Sequence, residues 1–400
     1  PMSPQDQLKI FKQGVIDLIS EEELLEKLSL NRPLRIKYGA DPSAPDLHLG
    51  HTVPLRKLRR LQDLGHRVVF IVGDFTAQVG DPSGQSETRR TLTEKEVRQN
   101  AKTYEEQVFR ILDRKETEIR YNSEWLGKFR ADDFLNLASK YTVARILERD
   151  DFAKRYAEKR PITILEFLYP LLQGYDSVQV KADMELGGSD QKFNLLVGRE
   201  LQRNWNQSPQ VVLTLPLIEG MDGRDKMSKS LGNHIAIEDK AEEMFGKLMS
   251  IPDHLMVRYF RYLTDLSEDS VNEIEEGLKH GTLHPREAKA RLAREMVRFY
   301  HGENSAKQAQ EEFDRIFRDK GLPDQIPAFK LPQKEIDVVS LLATTSLTTS
   351  KSEARRLIEQ GGVKVNGQPV ESVTQVVVLS PTNPTLVQCG KRKFIRVLCK

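Results

Sequence analysis

Residues 1–238 predict an α/β fold, a doubly wound, Rossmann-like parallel sheet; an α-helical region and a small basic α+β tail follow. Three observations carry this. The apolar run Leu34-Arg35-Ile36, a helical stretch from about residue 49 to 64 and the run Val68-Val69-Phe70-Ile71-Val72 form a strand–helix–strand unit within about forty residues, which implies parallel strands. From Asp239 the apolar spacing becomes wholly helical. Toward the C-terminus the charge turns basic and short strand-like pieces return.

The first strand ends at Gly39. Asp41-Pro42-Ser43-Ala44-Pro45-Asp46 follows, and its two prolines deny it regular structure. The next helix carries Leu55, Leu58, Leu61 and Leu64 at helical spacing, and Gly65 ends it. Further strands are expected at 118–121, 178–184 and 211–217, and helices at 94–112, 131–137, 162–175 and 191–203. In the helical region Ile274, Leu278, Leu292, Met296, Phe313 and Phe317 are core candidates. Residues 321–334, punctuated by proline, read as a linker between a helical domain at 239–320 and a tail domain at 335–400. Two short helices (338–342 and 352–360) are expected in the tail, with strands at 363–365 and 373–379 and a turn at Asn366-Gly367.

A chain of 400 residues exceeds one ordinary core. Its composition, 38% hydrophobic and 30% charged, is that of a soluble globular protein. No apolar run approaches the roughly 20 residues that cross a bilayer, so no membrane partner is expected. Pro1-Met2-Ser3-Pro4-Gln5-Asp6 lacks the pattern of a secretory leader. Cys389 and Cys399 have neither metal-ligand nor disulfide-framework spacing, so no bound metal is expected and the cytoplasm is the expected compartment. The net charge is only +2, but residues 351–400 hold nine basic against three acidic side chains. That tail is a candidate reader of a polyanion.

Two segments carry the chemistry. His48-Leu49-Gly50-His51 lies where the first strand's loop enters a helix, at the end of the sheet where α/β proteins bind ligands. A helix start offers unpaired N–H groups to phosphate, and both imidazoles can donate to phosphoryl oxygens. Gly50 lets a large ligand such as an adenine ring approach the backbone. The plainer reading is two polar residues capping a surface helix. The second segment, Asp225-Lys226-Met227-Ser228-Lys229-Ser230, sits among Gly220, Gly223 and Gly232 in a loop of little apolar content. Two ammonium groups there can stabilise a pyrophosphate leaving group. A solvated basic loop is the plainer alternative, but each segment supports the other because both belong beside the same phosphates.

The two segments resemble the HIGH and KMSKS signatures of the class I aminoacyl-tRNA synthetases; the second matches letter for letter and the first has leucine for isoleucine. The resemblance implies activation of an amino acid by ATP, with Mg²⁺ on the ATP phosphates, followed by transfer to tRNA. It places His48 and His51 at the α-phosphate and Lys226 and Lys229 at the leaving pyrophosphate. Asp41, Gly50, Met227 and Ser228 would also line the ATP site.

The amino acid is chosen elsewhere. Tyr169, Gln173 and Asp176 stand at i, i+4 and i+7 and share one helix face among Leu165, Phe167, Leu168, Leu171 and Leu172. A polar stripe in such company suits a pocket, because burying it unpaired costs a few kcal/mol per group; an exposed polar face is the alternative. With Asp81-Pro82-Ser83-Gly84 and Gly187-Gly188-Ser189-Asp190-Gln191, this stretch resembles the tyrosine-specific branch of the family. By that resemblance Asp81, Tyr169 and Gln173 would hold the ammonium of L-tyrosine and Asp176 would accept its phenol hydrogen bond. Asp190 would contact the ATP ribose, and Gln191 would lie at the carboxyl end of the amino acid. Many bacterial relatives place a tyrosine near the end of the first strand to share the phenol; here that place holds Lys37, with Tyr38 one residue later on the opposite face. Which of the two enters the pocket stays open. Gln85 stands where some relatives have lysine, leaving Arg89 as the loop's phosphate contact.

The tail from Ser350 to Gly367 resembles the alpha-L RNA-binding domain, with Arg355, Arg356 and Lys364 facing phosphates of a tyrosine tRNA. A basic solubilising tail is the alternative. By the same resemblance the helical region meets the anticodon arm, and an insertion at about 91–160 forms a homodimer interface. Two rivals remain: a tryptophan-specific sister ligase, and a non-catalytic RNA-binding paralogue.

Overall fold

The computed structural model describes residues 2–43, 46–82, 92–317, 326–390 and 393–400. Residues 1–239 with 250–292 form one compact unit, and residues 240–249 with 293–400 another.

Six strands make the sheet of the first unit: β1 (Asp17–Ile19), β2 (Arg35–Ala40), β3 (Arg67–Val72), β4 (Thr117–Tyr121), β5 (Met184–Gly188) and β6 (Val211–Leu215), in the order β1-β6-β5-β2-β3-β4. All neighbours pair parallel except β1, which lies antiparallel on the β6 edge. Strands β3 (RVVFIV) and β6 (VVLTL) are apolar and buried almost throughout, as a sheet covered on both faces requires. After β4 the chain returns to the far side of β2 to begin β5. The order therefore reverses between β2 and β5, and a ligand crevice opens where these two strands end.

The Ile164–Val180 helix crosses that crevice. Thr163 and Glu166 form a capping box at its start, and Arg155 grips the Glu166 carboxylate at 2.6 Å. It packs on the Lys192–Asn204 helix through glycine: a Cβ on Gly174 would meet Leu201 at 2.8 Å and the Gly198 nitrogen at 3.2 Å. This helix corrects one expectation. Residues 178–180, expected to open a strand, are its last turn, and Lys181 stops it in the left-handed conformation with φ 50°. Val178 and Val180 are buried as part of a helix face, a pattern that a short apolar run does not separate from a strand.

The first thirty residues, whose sequence carries no strong periodic signal, hold helices Pro4–Lys12 and Glu21–Ser29 around β1. Ser3 and Ser20 cap those helices through their hydroxyls. Strand β4 falls inside the stretch read as an insertion, and short helices follow at Ala131–Ala138, Val143–Ile146 and Asp150–Ala157.

In the second unit the Ala241–Met249 helix packs on Glu303–Phe317, with the Phe245 and Phe313 rings 5.5 Å apart. Of the core candidates, Ile274, Leu292 and Met296 are buried and Leu278 and Phe313 half-buried; the Phe317 side chain lies outside the described residues. The C-terminal part builds two small sheets from β7 (Ala328–Leu331), β8 (Glu335–Asp337), β9 (Val363–Val365), β10 (Gln368–Pro369), β11 (Val376–Val378), β12 (Thr385–Cys389) and β13 (Lys393–Cys399). They run β10-β9-β12-β13-β7 and β11-β8 around a core of Val338, Leu341, Leu342, Ile358, Val387 and Val397. Asn366 and Gly367 turn β9 into β10 with φ of 50° and 81°, the left-handed pair that a two-residue hairpin needs. Residues 328–331, read from the sequence as linker, are strand β7, parallel to β13.

Candidate active site

Both strands that flank the reversal feed the crevice. β2 delivers Asp41, and β5 delivers Ser189, Asp190 and Gln191. Beyond Asp41 the chain enters the Leu49–Asp63 helix at His48. The His48 backbone N–H donates to Nδ1 of His51 at 3.2 Å, and the two rings stack with centroids 3.7 Å apart. Because Nδ1 of His51 accepts, its proton sits on Nε2, free to donate to a ligand. Burial first, then the charge of Lys226, lowers the His51 pKa to about 4. Burial, then His51, His234 and Lys226, lowers that of His48 to about 2. Both imidazoles are therefore neutral near pH 7, and Nδ1 of His48 is buried without a partner among the described residues. They are hydrogen-bonding tools, not cations.

The lysine loop is stitched to this helix start. Leu49 donates to the Ile235 carbonyl at 2.9 Å and Ile237 to that of Leu47 at 3.1 Å. Gly50 N–H donates to the Met227 sulfur at 3.3 Å. The close approach at Gly50 is made by the chain itself: a Cβ there would stand 3.0 Å from the His48 ring and 3.4 Å from Met227. Glycine is thus favoured at this position by the protein's own packing, apart from any ligand. Lys226 and Lys229 are exposed, and Lys229 pairs with Asp46 at 2.9 Å. Ser228 N–H donates to the Asn233 side chain at 2.8 Å, and the Asn233 amide nitrogen donates to Asp222 at 2.9 Å and to the Asp225 and Lys226 carbonyls. Asn233 thus braces the loop from within.

The three polar residues of the Ile164–Val180 helix point into the same crevice. Tyr169 donates to Asp41 at 2.6 Å, and Thr76 donates to the other oxygen of Asp41 at 2.6 Å. Gly73 is required there, since a Cβ would collide with both the Asp41 carboxylate and the Thr76 hydroxyl. Deeper in, Asp176 accepts from Trp125 Nε1 at 2.8 Å and from Asn122 at 3.2 Å. At the rim Asn194 donates to the side-chain oxygens of Gln173 and Gln191, both at 3.1 Å, and Gln191 donates to Asp81 at 2.8 Å. Asp190 is exposed.

This pocket is rich in negative charge. Burial above all raises the Asp176 carboxyl to about 7, against the favourable charge of Lys37 and the Trp125 and Asn122 donors. Burial likewise raises Asp41 to about 7; the Thr76 and Tyr169 donors oppose this and the Asp81 and Asp176 charges add to it. Carboxylates held so close and so dry suit a cation, such as the ammonium of an amino acid.

The structure also settles the faces of β2. Lys37 is fully buried on the side of the Ile164–Val180 helix, ion-paired with Glu185 at 2.8 Å. Tyr38 faces the other way, its ring 5.6 Å from Phe70, and burial raises its pKa. Thr76, Asn122, Trp125, Asn194 and Asn233 line or brace the candidate site, although sequence reasoning named none of them. Residues 83–91, with Gln85 and Arg89, lie outside the described residues, as do Ala44 and Pro45.

In the second unit Arg355 and Arg356 on the Lys351–Glu359 helix and Lys364 on β9 are exposed, and no ion pair engages them among the described residues. Lys391 and Arg392 lie outside those residues.

A reversing parallel sheet, with neutral histidines at a helix start and a lysine loop stitched beside them, defines a class I synthetase. The family described as tRNA synthetases class I (W and Y) matches residues 29–318, and a tyrosine–tRNA ligase C-terminal domain matches residues 319–397. The chain is 55% identical to the tyrosine–tRNA ligase of Thermotoga maritima, over 99% of this chain and 98% of that protein. It is 53% identical to that of Geobacter sulfurreducens, over 99% of each. Among solved structures, a C-terminally truncated mitochondrial tyrosyl-tRNA synthetase of Aspergillus nidulans superposes with a TM-score of 0.64 at 22% identity, covering 79% of this chain and 95% of that one. The Archaeoglobus fulgidus tyrosyl-tRNA synthetase, complexed with L-tyrosine, gives 0.63 at 23%, covering 77% and 99%. The chain belongs to the tyrosine–tRNA ligase family.

Proposed function

We propose that the chain activates L-tyrosine with ATP and transfers it to the 3′ end of its tRNA, with the labour divided as follows. A carboxylate oxygen of tyrosine attacks the α-phosphorus of ATP, the bond to the bridging oxygen breaks, and pyrophosphate leaves with the electron pair. A hydroxyl of the terminal ribose of the tRNA then attacks the tyrosyl carbonyl and AMP leaves. No protein nucleophile is needed, so the residues contribute position and charge. His48 and His51 donate neutral N–H groups to the α-phosphate, and Lys226 and Lys229 neutralise the departing pyrophosphate. Asp41, Gly50, Asp190, Met227 and Ser228 line the ATP side, and Asp41, bonded to Tyr169, also faces the tyrosine ammonium.

Asp81, Tyr169 and Gln173 hold the ammonium, Gln191 lies at the carboxyl end, and Asp176 accepts the phenol. The observation that carries this reading is the pair of side-chain donors on Asp176, which fix a buried carboxylate as an acceptor deep in the pocket. A phenylalanine ring there would leave that acceptor short of a partner in a dry site, which is how such a site rejects it. Mg²⁺ arrives on the ATP phosphates; among the described residues no cluster of three or more His, Cys, Asp or Glu could hold a metal.

A second copy of the chain is the proposed partner of the insertion at about 91–160, where Leu135, Val143 and Tyr156 expose apolar surface that Ile164 and Leu165 continue. The tRNA is proposed to lie along the helical region at 239–320 and on Arg355, Arg356 and Lys364 of the domain at 335–400. The buried thiols of Cys389 and Cys399 suit the cytoplasm, the proposed compartment, and no helix among the described residues is long and apolar enough to cross a membrane. ATP–pyrophosphate exchange with each standard amino acid tests the core of the proposal. Exchange with tyrosine alone is expected; exchange with tryptophan would favour the sister specificity, and none at all a non-catalytic paralogue.

A further inference from the structure

Lys37, a charged group that the proposed chemistry leaves unused, has no exposed surface. Its ammonium donates to the Gln173 carbonyl at 2.8 Å and to Ser177 Oγ at 2.8 Å, and it forms an ion pair with Glu185 at 2.8 Å. Gln173 and Ser177 bracket Asp176 on the helix above. Glu185 is itself held by Ser177 at 3.1 Å and by Gln210. A buried ion pair often contributes nothing to stability beyond what apolar residues of equal volume would supply. This one sits under the single turn that carries two substrate-facing side chains.

We propose that Lys37 is a positioning residue for substrate selection: from beneath the helix it holds Asp176 as the carboxylate that accepts the substrate's ring hydroxyl. The inference rests on the reading of Asp176 as that acceptor. Lys37 supplies the largest favourable charge at Asp176, and Glu185 opposes it. The titratable groups around Asp176 are Lys37 and Asp41 from β2 and its end, Glu185 from β5 and Tyr169 from its own helix; Asp81 acts in turn on Asp41 and Tyr169. Trp125 and Asn122 close the remaining side and do not titrate.

The two members of the pair act on Asp176 with opposite sign, and this makes the proposal testable. ATP–pyrophosphate exchange is measured between about pH 5.5 and 9 with L-tyrosine and L-phenylalanine for wild type, Lys37→Met, Glu185→Gln and Asp176→Asn. Lys37→Met is expected to move the acid limb of tyrosine kcat/KM up by about one pH unit, a fall of about tenfold on that limb. Glu185→Gln is expected to move it down. Phenylalanine use and the KM for ATP stay unchanged in both.

A pair that only braces the strands would lower use of both amino acids in both variants and leave the limb in place, and that result overturns the proposal. If Lys37→Met does not fold, the nearly isosteric Glu185→Gln decides alone: a downward shift supports the proposal and a fixed limb overturns it. Asp176→Asn separates the two layers of argument. Lost discrimination there beside a fixed limb in the other two variants overturns the role of Lys37 alone. Unchanged discrimination in Asp176→Asn overturns the reading of the pocket and this inference with it.

Discussion

The hydroxyl of Tyr169 donates to the carboxylate of Asp41 at 2.6 Å, tying the helix proposed to read the amino acid to the strand end that leads into His48 and His51. The bond orients Asp41 toward an incoming ammonium and couples the two halves of the crevice. Tyr169→Phe leaves Asp41 with Thr76 as its remaining side-chain donor. Loss of one hydrogen bond to a buried charged group costs about 1–3 kcal/mol, so the KM for tyrosine should rise about 5- to 150-fold. The KM for ATP should move far less, and exchange kinetics with each substrate varied in turn reads the split.

Burial above all raises the carboxyls of Asp41 and Asp176 to about 7. An ammonium arriving beside Asp41 and a phenol hydroxyl donating to Asp176 each favour the ionised form and lower the two values. Tyrosine binding should therefore release protons near pH 7, and affinity should fall as the pH drops below 7, because protons then compete with the ligand. Calorimetry of tyrosine binding in buffers of different ionisation enthalpy measures the release directly. A binding enthalpy independent of buffer would contradict the shared acidic pocket.

Lys229 is paired with Asp46 at 2.9 Å across an exposed surface, and pairs of this kind contribute no more than about 1 kcal/mol. Asp46→Asn should leave the unfolding midpoint unchanged but release the loop. Trypsin should then cut faster after Lys226 or Lys229 in the absence of ATP, with protection restored by ATP. Lys229→Met should lower kcat for adenylate formation and spare tyrosine affinity, since its charge is needed only as pyrophosphate departs.

What could be read from the sequence follows from how far each signal reaches. β3 and the Leu49–Asp63 helix were legible because their periodicity is local and strong. The histidine and lysine segments were legible because each is contiguous. Asn122 and Trp125 were not: they reach Asp176 across about fifty residues of chain, and no spacing rule marks such a contact. The face of Lys37 depended on where β2 begins, since one residue of register reverses it. The strand expected at 178–184 failed because Val178 and Val180 serve equally well as a buried helix face. The packing of Met227 on Gly50 was not legible, because it comes from a segment 177 residues away in sequence.

Arg355 and Arg356 are exposed on a helix whose own buried residues are Ala354 and Ile358, so reversing their charge should not disturb the core beneath them. If they contact tRNA phosphates, Arg355→Glu with Arg356→Glu should raise the KM for tRNA in aminoacylation and leave ATP–pyrophosphate exchange at its original rate. Each lost phosphate contact should also reduce the slope of log affinity against log salt by about one. Filter binding of tyrosine tRNA from low to high salt measures that slope, and circular dichroism checks the fold. A uniform loss of affinity with an unchanged slope would mean that these arginines shape the domain and do not neutralise phosphate. An unchanged KM would move the tRNA to another face of the protein.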